Sequence, residues 1–510
     1  MRPLLRQIQM PGEREIPFVE ARVNGGLVTQ IDSADIANNQ FVQVKNFDVR
    51  DDRTSRRYGT ALYTPVKPNS SAILLVEYIK EFTGATKILR FSVNSVHKMD
   101  WGGAAWTALT GPAFAANDTV RIKLLRLANR TFFTDGIIPI QEINLTANTY
   151  AAAGTAPKAR YIAGFFNRLV CAYYTDAAAI NPIQIGWSGD NNFSVFDPLV
   201  DYSSGFTYLA ESPSDYSDFI MGLVPLANSM IVLKEKSIWL ATKQPSASNP
   251  FNFFTVLPGI GCDSPETVQK IPNGCVWYDS RNGTVFRYTV GTNEAENIGQ
   301  QIAKTLLTEI VDPNHCTSTY DPTNEEYSLI LPAYGPWPRA GITKVWKYNF
   351  RNKSWSYDEI DDVTSINYIE DVNVRKRIYG QYDGDLLVDD FTLYVPPTYD
   401  TDNGVTYTSV LVSKTYEFPT DDTYIHSLRL EYIPRLAGSF IVAFSKNNGI
   451  TWTNYKTVTF VAGDVGKRMV ERFVKHIKTR QYTWKITSTS GLFDLIQYAG
   501  RAFTGAISKE

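Results

Sequence analysis

The sequence predicts an all-β chain: a β-propeller of about six blades, a C-terminal β-sandwich-like region and one short amphipathic helix. Three observations carry that expectation. Aromatic residues make up 13% of the 510 positions, led by 29 Tyr and 27 Phe, and such rings suit half-buried pleated surfaces better than helix stripes. A unit of Asn- or Gly-rich turn, β-patterned run, second turn and aromatic-ended run recurs about six times, at a spacing of roughly 40 to 60 residues that matches propeller blades. One segment alone breaks the β pattern with a helical period.

The composition narrows the function classes. Hydrophobic residues at 44% and charged residues at 20% give the usual globular balance and disfavour disordered, collagenous and membrane classes. Lys plus Arg total 50 against 52 Asp plus Glu, a net charge of −2, which provides no general electrostatic footprint for a phosphate backbone. Met1 to Glu15 carries Arg2, Arg6 and Arg14 but no apolar core of a signal peptide. No later stretch reaches the length of a membrane span, so neither export by that route nor insertion is expected.

In chain order, residues 1–60 read as an N-terminal arm with a first propeller strand, residues 61–398 as the propeller, and residues 399–510 as a C-terminal β-rich domain. The first copy of the repeat runs from Ile73 to Glu81, turns at Thr83-Gly84-Ala85-Thr86 and returns through Ile88 to Val93. Later copies open at Asn129-Arg130, Asn167-Arg168, Asn228-Ser229 and Asn273-Gly274, with weaker ones near Asn324 and Lys376. Asn282-Gly283 between β-rich flanks is a strong hairpin signal, because both residues tolerate positive φ. Radial stacking of such small sheets would bury aromatic faces that no single sheet can cover.

Ile298, Ile302, Leu306 and Ile310 fall four apart before Asp312-Pro313, which predicts one amphipathic helix covering a gap between blades. Tyr394-Val-Pro-Pro-Thr398 and the Thr- and Asp-rich stretch after it mark the exposed connection into the C-terminal domain. Beyond it, Leu428–Ile433, Ser439–Phe444, Lys456–Phe460 and Gln481–Ile486 alternate as strands.

Candidate chemistry is sparse. Cys171, Cys262, Cys275 and Cys316 form no C-x-x-C pair and read as reduced, packed thiols; with His315 they stand too far apart for a structural zinc knuckle, so no metal is expected. Asp383-Gly-Asp-Leu-Leu-Val-Asp-Asp390 lacks the layout of a calcium loop and reads as a hairpin turn and an amphipathic strand, with Asp389 and Asp390 solvated at its end. His97, His315, His426 and His476 sit in no catalytic motif, and Asp215 with Asp218 is the kind of acid pair that chance supplies. No phosphate loop is present, and neither a cofactor nor a catalytic centre is expected. Ser445-Lys-Asn-Asn-Gly-Ile-Thr-Trp452 is close to the Asp-box of sialidase-like propellers, with Asn447 where the Asp belongs, and reads as a turn staple.

The N-terminal stretch is the most distinctive: Asn24-Gly-Gly-Leu-Val28, Asp32 to Asn39, Val42 to Asn46-Phe47, then Arg56-Arg-Tyr-Gly59. It resembles the opening of the tail nozzle, or tail hub, proteins of short-tailed bacteriophages, also called the packaged-DNA stabilisation group. Leu127-Ala-Asn-Arg-Thr-Phe-Phe-Thr-Asp-Gly136, Ile185-Gly-Trp-Ser-Gly-Asp-Asn-Asn-Phe193 and Lys236-Ser-Ile-Trp-Leu240 extend the likeness over most of the chain. The resemblance implies a structural virion protein of the viral tail, a podovirus component assembled in the bacterial host cytoplasm. It would be a homo-oligomer, a homohexamer, ringed below the portal and the head-to-tail adaptor. Tail spikes or fibres would attach outside, and double-stranded DNA would cross the bore without specific binding during retention and ejection. The alternative from another class is a carbohydrate-binding or glycan-hydrolysing propeller tail protein.

Asp48, Asp51 and Asp52 mix with Arg50, Arg53, Arg56 and Arg57 in one run. Charge-laced segments are usually exposed, so the expectation is a solvated or intersubunit ion-pair face, or, given the resemblance, a surface that docks on the adaptor ring through these four arginines.

Overall fold

The computed structural model describes residues 14–17, 20–64, 66–81, 83–93, 95–113, 121–176, 179–309, 312–332, 341–371, 374–389, 400–418 and 423–504. The chain forms two compact units. One comprises Ala61–Trp346 and Glu359–Asp390; the other comprises Met1–Thr60, Lys347–Asp358 and Phe391–Glu510. The expected boundary at Tyr394 to Thr398 lies outside the described residues, as do Ile310 and Asp390.

The unit of residues 61–346 and 359–390 is the propeller. Among the described residues its six separate four-stranded sheets meet the expectation of about six blades, and a further antiparallel pair, Thr317–Asp321 with Glu326–Ile330, follows the fifth sheet in chain order. Hydrophobic clusters lie between neighbouring sheets rather than within them. Phe91 packs on Phe133 across the first and second blades, with ring centroids 5.2 Å apart, and Trp187 meets Phe251 across the third and fourth at 5.6 Å. A four-stranded sheet has two apolar faces and cannot bury either alone, so stacking around an axis is the arrangement that removes both from water.

Closure follows from the first strand. Ala61–Leu62 adds to the last sheet, with Leu387 opposite Leu62 and Val388 opposite Ala61, so the first and last strands of the propeller unit share one blade. The strand expected within residues 1–60 therefore falls just past residue 60. Side chains seal the same junction: Thr364 Oγ1 donates to the Ile73 carbonyl at 2.7 Å and Asn367 Nδ2 to the Val76 carbonyl at 2.8 Å.

The recurrent Asn positions open the second strand of a blade. Ala128 and Asn129, and again Phe166 and Asn167, adopt positive φ between paired Leu127 and Arg130 and between paired Phe165 and Arg168. These are two-residue hairpins whose mirror-image turns match strand twist. The helix is shorter than its apolar spacing suggests: a 3₁₀ turn at Gln300–Ile302 leads into Ala303–Thr308. Among the described residues no helix is long and apolar enough to cross a membrane.

In the other unit, the sandwich-like expectation is realised as one strongly bent sheet. Two long strands, Thr423–Ser445 and Gln481–Thr504, pair antiparallel along their length through several register shifts. Such shifts bend a sheet and let one strand serve two halves. Met469–Lys478 flanks one half and Thr453–Phe460 the other. At the bend Gly438 faces Gly491, where a Cβ on Gly438 would stand 2.4 Å from the Gly491 Cα.

Candidate functional site

The arginine-rich run is a hairpin. Phe47–Val49 pairs with Thr54–Arg56, and the Arg50 amide closes the turn on the Arg53 carbonyl at 2.8 Å. Arg50 and Arg53 stay near the surface, 3.7 Å from Asp48 and 3.5 Å from Asp494 respectively. Arg56 and Arg57 are 0% and 3% exposed. The expectation of a single exposed docking face through all four is therefore corrected: Thr54–Arg56 is buried throughout and Arg57 continues that buried run, so the last two guanidinium groups lie in the interior.

What holds them there is a set of partners far away in sequence. Arg57 donates from Nε to Asn46 Oδ1 at 3.1 Å and from Nη1 to Asp402 Oδ1 at 2.8 Å, with a second bond from Nη2 to Asp402. Its Nε also lies 3.7 Å from Asp358. Arg56 donates to Ser409 Oγ at 3.1 Å, to the Tyr407 carbonyl at 3.2 Å and to the Gly491 carbonyl. The Tyr407 ring packs against both, 4.5 Å from Arg56 and 3.9 Å from Arg57. Lys347, 1% exposed, bridges Asp48 at 2.5 Å and Asp358 at 2.8 Å.

Two cations, Arg57 and Lys347, thus meet three carboxylates, the buried Asp48 and Asp358 and the partly exposed Asp402, with buried Arg56 beside them. Burial alone would lower the Arg57 pKa, but the charge and hydrogen bonds of Asp402 outweigh it and raise the pKa above the ordinary value. Arg56 faces carbonyls and a hydroxyl, and burial lowers its pKa. The same burial pushes Tyr407 up to about 12 despite the adjacent guanidinium groups. Paired, hydrogen-bonded charges of this kind hold segments in register. Here they tie residues 46–60, 347–358 and 402–409 into a lock.

The motif residues of the N-terminal stretch serve the same lock. Gly26 has φ +68, and a Cβ there would stand 2.5 Å from the Ser354 Cβ; one on Gly59 would stand 1.8 Å from the Thr401 carbonyl oxygen. Asn46, at φ +57, accepts from Arg57 and donates to the Thr408 carbonyl at 2.8 Å.

The other candidates are spent on structure. All four cysteines are free and buried, and burial raises the Cys171 thiol to about 12. Asp215 accepts the backbone amides of Glu211 and Ser212, while Asp218 accepts that of Lys236 and lies 3.6 Å from Lys234. His315 Nδ1 sits 2.6 Å from Asp312; the side chain of His476 lies outside the described residues. Asp383-Gly384 is a turn, at φ +88, but the following strand Leu386–Val388 is buried throughout. Asp389, expected in solvent, is 5% exposed and 2.7 Å from Arg377, because the buried guanidinium needs a counter-charge. The Asn447 turn is built as read: Gly449 N donates to Ser445 Oγ at 2.9 Å, Thr451 N to Asn447 Oδ1 at 2.9 Å, and Trp452 packs beneath Gly449.

The propeller has one further feature of note, an open polar cleft of about 510 Å³ lined by Glu81, Arg126, Asn129, Arg130 and Glu142 among others. Arg130 there is already paired with Glu142, Nε to Oε1 at 2.6 Å. Among the described residues no group of His, Cys, Asp and Glu could hold a metal ion. Sequence reasoning missed Lys347, Asp358 and Asp402. One signal was available: a lysine between Trp346 and Tyr348, in a strand of apolar pattern, needs a buried partner.

No protein-family model and no curated protein matches the chain. Among solved structures it is similar to the WD40 β-propeller domain of Doa1, at 10% identity over 66% of this chain and 98% of that one, with a TM-score of 0.40. It is also similar to YCF48 bound to a D1 peptide, at 11% identity over 70% of this chain and 100% of that one, again at 0.40. The propeller assignment is carried by the strand order itself.

Proposed function

We propose that this chain is a structural wall protein of a short-tailed phage tail, a nozzle or hub through which packaged DNA is retained and ejected. The observation that carries the reading is the ordered series Asn24-Gly-Gly-Leu-Val28, Asp32 to Asn39 and Arg56-Arg-Tyr-Gly59 ahead of a propeller. Gly26, Asn46, Arg57 and Gly59 sit at positions where another residue would clash or leave a buried charge unpaired. A motif fixed by such constraints carries more weight as a resemblance than one on a free surface.

The physical fit is that of a channel wall. A near-neutral chain offers DNA few phosphate contacts overall, so a polymer slides past without being trapped. Stiffness comes from sheets packed face to face around an axis, with the last blade closed by the first strand. The reading includes a homo-oligomer, an adaptor ring above it and spikes or fibres outside. Electron microscopy of the purified chain tests it: rings with a central bore are expected, and a monomer that turns over or binds saccharide would replace the reading with the carbohydrate-acting one.

A further inference from the structure

The net charge of −2 conceals two stretches of opposite sign. From Leu169 to Leu233 the chain carries seven acids, Asp176, Asp190, Asp197, Asp201, Glu211, Asp215 and the buried Asp218, and no Lys, Arg or His. From Lys446 to Lys485 it carries nine Lys or Arg against two acids, a balance of +7.

Each stretch also exposes apolar side chains that its own sheet leaves uncovered. On the third blade, Leu199, Val200 and Tyr202 are 94%, 71% and 73% exposed, and Phe206 and Tyr208 about half exposed. Phe206 and Tyr208 belong to the outer strand Gly205–Tyr208, which pairs only with Gln184–Trp187 among the described residues. In the C-terminal unit, strand Met469–Lys478 pairs only with Thr423–Ser445 among them. It turns Val470 and Val474 outward, both more than half exposed, alternating with exposed Arg472 and followed by exposed Lys478. Monomeric proteins seldom leave apolar residues along an open strand edge.

We propose that these two faces are the halves of one contact between copies: the acidic, aromatic outer edge of the third blade docks on the basic, valine-bearing edge of Met469–Lys478 of a second copy. Charge complementarity selects this occupant, since the same chain supplies both signs, each beside exposed apolar groups. The valines alternating with Arg472 argue against a nucleic acid on the basic face, where apolar aliphatic side chains would meet phosphate. Because the two faces differ, the contact is heterologous and runs head to tail, a geometry that repeats into a ring or a filament. The inference rests on the proposed nozzle reading only for the number of copies.

Sedimentation of the full chain at low and high salt tests it. Self-association is expected at low salt, weakened about tenfold or more at high salt as screening removes the charge term. Leu199→Lys with Tyr202→Lys, and separately Arg472→Glu with Val474→Glu, should each give monomers by sedimentation that are folded by circular dichroism. Mixed, they should form a one-to-one dimer, because each retains the face that the other lost. A wild-type chain that stays monomeric at low salt overturns the proposal, as does a mixture that does not dimerise. So does a monomer whose basic face instead binds a DNA duplex. If the face variants still form bored rings, the contact is wrong and the nozzle reading survives; if the wild type associates through these faces into open filaments, the contact stands and the ring fails.

Discussion

Arg57 and Lys347 are the residues on which the N-terminal lock depends. Lys347→Met would remove the cation that bridges buried Asp48 and Asp358, leaving them only the more distant Arg50 and Arg57, each 3.7 Å away, and breaking such a set on one side costs about 3–5 kcal/mol. The expected outcome is a large drop in melting temperature with no change in the propeller's own β signature, read by circular dichroism. Arg56→Glu with Arg57→Glu should likewise give insoluble chain instead of a stable protein with a faulty surface. A second residue-scale test concerns Glu77 on the inner strand Ile73–Lys80, whose carboxyl is raised from 4.5 to about 7 by burial, offset in part by Asn367 at 2.7 Å. The folded pKa exceeds the unfolded one, so the protonated form favours folding; that contribution is complete below about pH 4.5 and lost as pH rises through 7. Glu77→Gln should therefore raise stability at pH 8 by on the order of 2 kcal/mol and leave it unchanged at pH 4, as read from denaturant midpoints. At this scale the turn residues were legible, since Asn at positive φ has a local cause. Arg56 and Arg57 were not, because Asp402 and Ser409 lie some 350 positions away and nothing in a local window distinguishes a buried arginine from a solvated one.

The blade hairpins were legible at the scale of elements because strand alternation and a two-residue turn are both short-range properties. The C-terminal strands were legible only in pieces. Leu428–Ile433 and Ser439–Phe444 read as separate strands, yet they are one, Thr423–Ser445, because bulges let the chain bend without a loop. That difference has a test. Gly491, at φ +72, would place a Cβ 2.6 Å from the Gly438 Cα, so Gly491→Ala combines a left-handed strain with a backbone clash. A loss of about 1–3 kcal/mol is expected, whereas Gly463, whose Cβ would meet nothing within 4 Å, should accept alanine at little cost. Equal effects at the two positions, measured by thermal melts, would show that the bend does not need its glycines. The helix fell short for a related reason: Gln300–Ile302 takes the tighter 3₁₀ path, leaving Ala303–Thr308 as the only α-helical turns among the described residues.

For the whole molecule, sequence order and compact units do not coincide. The chain builds part of one unit, leaves for the propeller, returns for Lys347–Asp358, re-enters the propeller and comes back. Periodicity could place the propeller but not that return, since residues 345–355 read like any other hairpin. The consequence is that residues 399–510 cannot be removed as an appendage. Cutting after residue 398 takes away Ser409–Ser413, on which Phe41–Lys45 pairs, along with Asp402 and Tyr407, on which Arg57 relies. What remains of that unit would hold a buried guanidinium without its closest carboxylate and a strand without its antiparallel neighbour, and both defects expose the arm to aggregation. A chain of residues 1–398 should therefore be recovered aggregated, and deleting residues 1–60 in addition should improve its solubility, even though more of the protein is missing. Size-exclusion chromatography of the two truncations decides it: a soluble, monodisperse 1–398 chain would mean that the arm folds without its C-terminal partners.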